Sequence, residues 1–286
     1  MEKKRRGTPS EEEMKALAKR MDERFASFLS SGRYKDVLLC MGNLSRYSLR
    51  NQLCILFQFP SASRVAGIRE WNRLGRRVKR GEKGIRIYQP IFKKKEEGEE
   101  EKALAFRVGC VFDLSQTEGE EIKAFRLDED SEVEEKRKIV EGMKRTLDEL
   151  GYSFVYVSGE ELGEGCYGLC SHKERAVKVK EGMGDLQTIS TLIHECAHAL
   201  AHGAERKDFE GLRAMEKREI KEVEAESIAC IVCAHLGLET EEFNFSYIAG
   251  WASGDITKFR KNLDLVSSCA RRLIAGIEEE REKKDG

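Results

Sequence analysis

Proline is scarce in this sequence: Pro9, Pro60 and Pro90 are the only three in 286 residues. Nothing beyond residue 90 is therefore interrupted by a residue that breaks helices. Long apolar runs are missing as well. Stretches such as Leu53–Phe57 and Ile228–Cys233 fall far short of the roughly 18–20 residues that span a bilayer, which argues against any membrane partner. The basic start Met1–Arg6 leads into no apolar segment of the signal-peptide kind, so secretion is not expected. No disulfide framework is evident. The nine cysteines are odd in number and scattered, mostly in apolar surroundings, as reduced thiols are in a cytoplasmic protein.

Net charge is also nearly absent, at −1, but the small sum hides a polarity. Residues 1–95 hold 24 Lys/Arg against 9 Asp/Glu, a charge of +15, and residues 96–286 hold 27 against 43, a charge of −16. Two oppositely charged halves point to two modules with different partners. Hydrophobic residues make up 40% of the chain, enough to build a core and exclude wholesale disorder.

Hydrophobic spacing gives the element order. Ser10 and Glu13 read as a capping box opening a helix that carries Met14, Leu17, Met21, Phe25 and Phe28. A second helix is expected from about Val37 to Phe57 and a short one over Arg69–Leu74. Ile85–Phe92 and Phe106–Phe112 read as strands of a long hairpin with a charged tip. The first module ends near Phe125. A helix over Val133–Leu150 opens the second. Strand-like runs follow at Ser153–Val157, Cys166–Ser171 and Ala176–Lys180. Asp185 caps a helix over Leu186–Ala201. Further helices are expected over Glu216–Leu236, Phe245–Ala252 and Lys258–Glu280. The class is α+β with two domains, residues 10–126 and residues 131–282.

The sharpest motif is His194-Glu195-Cys196-Ala197-His198, an H-E-x-x-H. Residues four apart on a helix lie about 40° apart around the axis, so both imidazoles reach one metal ion. Glu195 sits about 100° round from His194, where a carboxylate can take the proton of an attacking water. The nitrogen and oxygen donors suit one zinc ion with an open position. The bland alternative is an ordinary helix whose histidines pack. A third ligand is required. His202 comes two residues too early for H-E-x-x-H-x-x-G-x-x-H, and Ala201 replaces the turning glycine. Glu222-Val-Glu-Ala-Glu226 offers the other solution: Glu222 binds the metal, and Glu226, one turn on, accepts from a ligand histidine and fixes its tautomer. Glu226 or His202 as the ligand remain alternatives. Glu224 faces about 200° away from Glu222. Tyr247 is a candidate transition-state stabiliser, and His172 a candidate substrate contact. Cys230 and Cys233 read as core. Cys166 and Cys170 with His172 lack the matching pair a second metal would need.

In the basic half, cations interleave with aromatic and amide groups: Arg46, Tyr47, Arg50 and Asn51, then Trp71, Arg76, Arg77, Lys79 and Lys83. Gly75, Gly81 and Gly84 provide turns whose N–H groups can approach phosphate. Tyr47 or Trp71 can stack on an unpaired base. This pattern fits single-stranded DNA; a solvated basic face is the alternative.

Tyr47–Asn51, Val65–Ile85 and Val111-Phe-Asp-Leu-Ser-Gln-Thr117 together resemble the N-terminal domain of ArdC-type antirestriction proteins. Thr191–His198, Glu222–Glu226 and Tyr247–Trp251 resemble the zincin-like metallopeptidase domain of the same family, related to the ImmA/IrrE group. The resemblance spans about residues 10–275. It implies a mobile-element protein with a single-stranded-DNA-binding domain and a zinc peptidase domain. His194, His198 and Glu222 would be ligands and Glu195 the catalytic residue, acting on an unidentified protein or peptide. A non-proteolytic DNA-binding antirestriction protein with structural zinc is the alternative. Cys196, where an apolar residue is more usual, would leave a thiol near the metal.

Overall fold

The structure is a computed structural model that describes residues 33–92, 103–122, 125–203, 207–240, 243, 245 and 256–283. The expected helix opened by Ser10, the one over Phe245–Ala252, and Tyr247 lie outside the described residues, apart from Phe245 itself. The chain divides into two compact units, one of residues 1–33 and 46–123 and one of residues 34–45 and 124–286. The units are thus not the contiguous spans 10–126 and 131–282, because a helix from the basic half belongs to the second. No helix among the described residues is long and apolar enough to cross a membrane.

The expected helix over Val37–Phe57 is two helices, α1 (Tyr34–Asn43) and α2 (Leu49–Gln58). The break is set by Ser48, whose extended backbone (φ −63°, ψ 153°) starts α2 afresh.

In the first unit, α2 precedes β1 (Val65–Ala66), α3 (Ile68–Arg73), β2 (Arg76–Val78), β3 (Ile85–Phe92), β4 (Ala103–Asp113) and β5 (Thr117–Gly119). β1, β4 and β3 form an antiparallel sheet in that order, and β2 pairs with β5. The long hairpin runs in register from Ile85↔Val111, with an irregularity at Ile91/Phe92. β3 is an edge strand, and α2 closes its edge with two carboxamides. Asn51 donates to Tyr88 O (2.8 Å) and accepts from Tyr88 N–H (2.9 Å); Gln58 does the same at Arg86, at 2.8 and 3.0 Å. Residues seven apart lie on one face of a helix, so both amides can turn to the same strand edge, and satisfied edge groups cannot recruit another chain. Asp113 is buried, yet its carboxylate accepts from the N–H groups of Ser63, Arg64 and Ser115. Gln116 completes a capping box by accepting from Asp113 N–H.

The second unit holds α1, α4 (Val133–Glu149), β6 (Ser153–Val157), α5 (Gly159–Leu162), β7 (Gly168–Ser171), β8 (Ala176–Lys180), α6 (Asp185–His202), α7 (Ala214–Leu236) and α8 (Ile256–Arg281). The sheet order is β6-β8-β7, with β6 parallel and β7 antiparallel to the central β8. Val177 and Val179 of β8 are fully buried, with Ile189, Leu192 and Ile193 of α6 buried alongside them in the core. Helix approach depends on glycine. A Cβ on Gly42 of α1 would stand 2.6 Å from Ile231 O of α7, and one on Gly142 of α4 would stand 2.6 Å from Gly276 O of α8. Gly184, not Asp185, is the N-cap of α6; Asp185 is its first residue, where a carboxylate complements the helix dipole.

Candidate metal centre

α6 carries His194, His198 and His202 at successive four-residue steps, and α7 packs against it. The Nε2 atoms of His194 and His198 lie 3.1 Å apart. Glu222 Oε2 of α7 is 3.4 Å from His198 Nε2 and 3.7 Å from His194 Nε2. Among the described residues these three make the one group of at least three His, Cys, Asp or Glu side chains whose donor atoms converge within 4.8 Å. Tetrahedral coordination with bonds of about 2.0–2.1 Å separates neighbouring ligand atoms by about 3.3 Å. The observed separations scatter around that value, so the donor set fits a divalent ion. The site is open on one side, since 45% of the Glu222 side chain and 29% of that of His194 are exposed. Contact with the imidazoles of His194 and His198 holds the Glu222 carboxyl far below the ordinary range. Burial pulls the His194 pKa down, but Glu222, Glu195 and Glu226 outweigh it and the net direction is up.

Glu195 is 7% exposed, and burial raises its carboxyl pKa against the lowering influence of both histidines. Its position is set by β7. Lys180 N–H donates to Tyr167 O (2.9 Å), and antiparallel alternation then turns residues 168 and 170 toward the open edge of the sheet. The Cys170 N–H donates to the Glu195 carboxylate. Gly168 allows this approach: a Cβ there would stand 2.8 Å from Glu195 Cγ and 2.7 Å from Thr191 Cγ2.

The predicted role of Glu226 is not seen. No hydrogen bond from a ligand histidine reaches it among the described residues, and its buried Oε2 has no partner there. It acts on His194 through charge alone. The partner of His198 is instead His202, with Nδ1 to Nδ1 at 3.1 Å, and His202 Nε2 lies 3.0 Å from Glu224 Oε2. His202 and Glu224 have fully buried side chains. Burial pushes the His202 pKa down, against the influence of Glu224. The sequence signal for His202 was its four-residue step from His198. Glu224 does face away from Glu222, but into the α6–α7 interface and not toward solvent. Cys196 lies in the core, fully buried, with burial raising its thiol pKa far above the usual range. Its thiol is closed to solvent.

His172 accepts from or donates to Tyr152 Oη at 2.8 Å. Burial lowers its pKa, and Lys221, His202 and His198 add to the effect. Cys170 Sγ stands 4.0 Å from His172 Nδ1, and Cys166 Sγ donates to Gly168 O. His235 bridges Gly42 O and Glu278 at the end of α7.

Several of the residues expected to bind DNA hold the first unit together instead. Trp71 is fully buried and its indole N–H donates to Phe112 O (2.9 Å), so it cannot stack on a base. Asn51 is committed to Tyr88 at the edge of β3. Arg76 donates to Thr117 Oγ1, Thr117 O, Gly119 O and Glu120 O. Tyr47 Oη donates to Val65 O, and Lys79 Nζ to Ser115 O. Arg50 lies over the Tyr88 ring, 3.8 Å from its centre, while remaining exposed. Arg46, Arg77 and Lys83 are exposed.

Comparisons with known proteins bear on both units. Residues 13–145 match the family described as the N-terminal domain of anti-restriction factor ArdC. An uncharacterized protein of Bacillus anthracis is 24% identical over 83% of this chain, which spans only 46% of that relative's length. The Mn(II)-bound crystal structure of antirestriction protein ArdC from the R388 plasmid aligns with a TM-score of 0.53 and 16% identity. That alignment covers 93% of this chain and 98% of that one. The metal-free structure of the same protein aligns with a TM-score of 0.44 and 18% identity over 82% of this chain and 84% of that one. The chain is thus similar to the ArdC N-terminal domain over residues 13–145 and shares the fold of the Mn(II)-bound ArdC structure along nearly its whole length.

Proposed function

We propose that the chain is a mobile-element antirestriction protein that joins a single-stranded-DNA-binding unit to a zinc-dependent, zincin-like peptidase related to the ImmA/IrrE group. The carrying observation is the convergence of His194 Nε2, His198 Nε2 and Glu222 Oε2 beside a buried carboxylate, Glu195. That the compared ArdC structure is described as Mn(II)-bound supports a divalent ion, and two nitrogens with one oxygen favour zinc. An ion held there supplies Lewis acidity toward a peptide carbonyl. The protein does the rest. Glu195 takes a proton from the attacking water and returns it to the leaving amine, a task suited to a carboxyl whose pKa is raised. The Cys170 N–H fixes one carboxylate oxygen, and the open edge of β7 offers backbone groups along which an extended peptide can lie. His172 is hydrogen-bonded to Tyr152 and feels the charge of Lys221.

DNA binding falls to the exposed cations Arg46, Arg50, Arg77 and Lys83. Affinity for single strands should fall steeply with salt as phosphate contacts release counterions. Glu195→Gln tests the peptidase reading: metal binding and fold are retained while host proteins cleaved in the presence of the wild type stay intact. If restriction protection survives that change undiminished, hydrolysis is not part of the antirestriction role.

A further inference from the structure

Behind the metal position lies a pair of polar side chains that no step of the proposed hydrolysis uses. His202 and Glu224 are both fully buried, on different helices, and bonded to each other at 3.0 Å. Two such groups in an apolar interface carry a desolvation cost that apolar residues would avoid. Their arrangement has a direction. An ionised Glu224 can only accept, so His202 donates from Nε2. A neutral imidazole that donates from Nε2 has a lone pair on Nδ1. His202 Nδ1 therefore accepts from His198 Nδ1–H across 3.1 Å. With its proton on Nδ1, His198 has a lone pair on Nε2, the atom that faces Glu222 Oε2 and His194 Nε2.

We infer that Glu224 and His202 are positioning residues: a buried relay that fixes the tautomer and ring orientation of His198 and so sets the protein's affinity for its divalent ion. This rests on the reading of His194, His198 and Glu222 as the metal site. Ligand histidines ordinarily donate their second N–H to a carboxylate or carbonyl. Here a second imidazole is interposed, so the carboxylate charge acts one residue further back and stays out of solvent.

The test titrates Mn(II) into the full chain at fixed pH, with the free ion followed by electron paramagnetic resonance. His202→Leu and the double variant His202→Leu/Glu224→Leu are expected to bind about 10–100-fold more weakly than wild type. His202→Gln, whose amide oxygen can accept from His198 Nδ1–H, should recover most of the affinity. The double variant replaces both buried polar groups with apolar ones and keeps the fold, so a weakened affinity at an undiminished melting temperature is what packing alone would not give. A double variant that binds Mn(II) as tightly as wild type overturns the relay. Nitrogen-15 shifts of the metal-free wild type should show His198 protonated on Nδ1; protonation on Nε2 overturns it as well. His194→Ala separates the two readings. If that variant keeps wild-type affinity, the site itself is misassigned. If it loses binding while the relay variants match wild type, only the relay is wrong.

Discussion

Gly168→Ala probes how β7 holds Glu195 without touching a metal ligand. Gly168 is not among the glycines with positive φ, so alanine is acceptable to the backbone and the effect is steric alone. The new Cβ would stand 2.7 Å from Thr191 Cγ2, 2.8 Å from Glu195 Cγ and 2.9 Å from Glu195 Oε1. Thr191 and Glu195 are one turn apart on α6, and a β-branched threonine in a helix has little rotamer freedom to retreat. The strand must therefore lift, or Glu195 must swing and strain its bond from Cys170 N–H. Overpacking of this kind costs about 1–3 kcal/mol, and the lower entropy of the unfolded alanine chain offsets about 0.4–1 kcal/mol of it. A net loss of about 1–2 kcal/mol corresponds to a fall of about 2–8 °C in melting temperature for a unit of this size. Any hydrolytic rate should fall further, by about 100-fold for a displacement of about 1 Å at the reacting group. Mn(II) affinity should stay within about twofold of wild type, because the new Cβ meets Thr191 and Glu195 and no metal ligand or its support. Differential scanning calorimetry and metal titration read both quantities. Adding Thr191→Ala should restore part of the stability. A Gly168→Ala protein that melts at or above wild type would refute the close approach of β7 to α6.

Two further outcomes follow from other bonds. Asn51→Asp keeps an acceptor for Tyr88 N–H but sets a carboxylate against Tyr88 O, and should lower stability by about 1–3 kcal/mol in urea titration; an unchanged midpoint with weakened DNA binding would return Asn51 to the interface. Hydrogen bonding from His235, aided by Arg281, holds the Glu278 carboxyl below the ordinary range. A depressed carboxyl contributes stability that is fully present above the unfolded value of about 4.3 and is lost as pH falls through the folded one. Glu278→Gln should therefore be less stable than wild type near neutrality and lose less on acidification; parallel stability curves from pH 7 to 3 would contradict this.

The elements that local pattern controls were legible in the sequence. β3, β6 and β8 run over the residues that alternation and turn-formers mark out, and His194 and His198 share a face because four-residue spacing fixes it; the packing of α7 on α6 brings Glu222 to them. What was not legible came from tertiary packing. No proline or local glycine signal after Asn43 announces the gap between α1 and α2; the first of these packs by Gly42 on α7, in the other unit from the second. Trp71 and Asn51 stand among arginines in the sequence, and a base-stacking aromatic and a structural one look alike until the neighbours of β4 and β3 are known. Helical angles placed Glu224 away from the metal correctly. Only the packing of α7 on α6 shows that the far side holds His202. The β7 approach to Glu195 was likewise hidden, because it depends on which strand forms the sheet edge.

The central claim is that His194, His198 and Glu222 hold one divalent ion. Elemental analysis of the purified full chain, wild type against Glu222→Ala, tests it most directly. The expected result is one bound ion per wild-type chain and a content near zero for the variant after identical dialysis. Equal metal content in both proteins would contradict it.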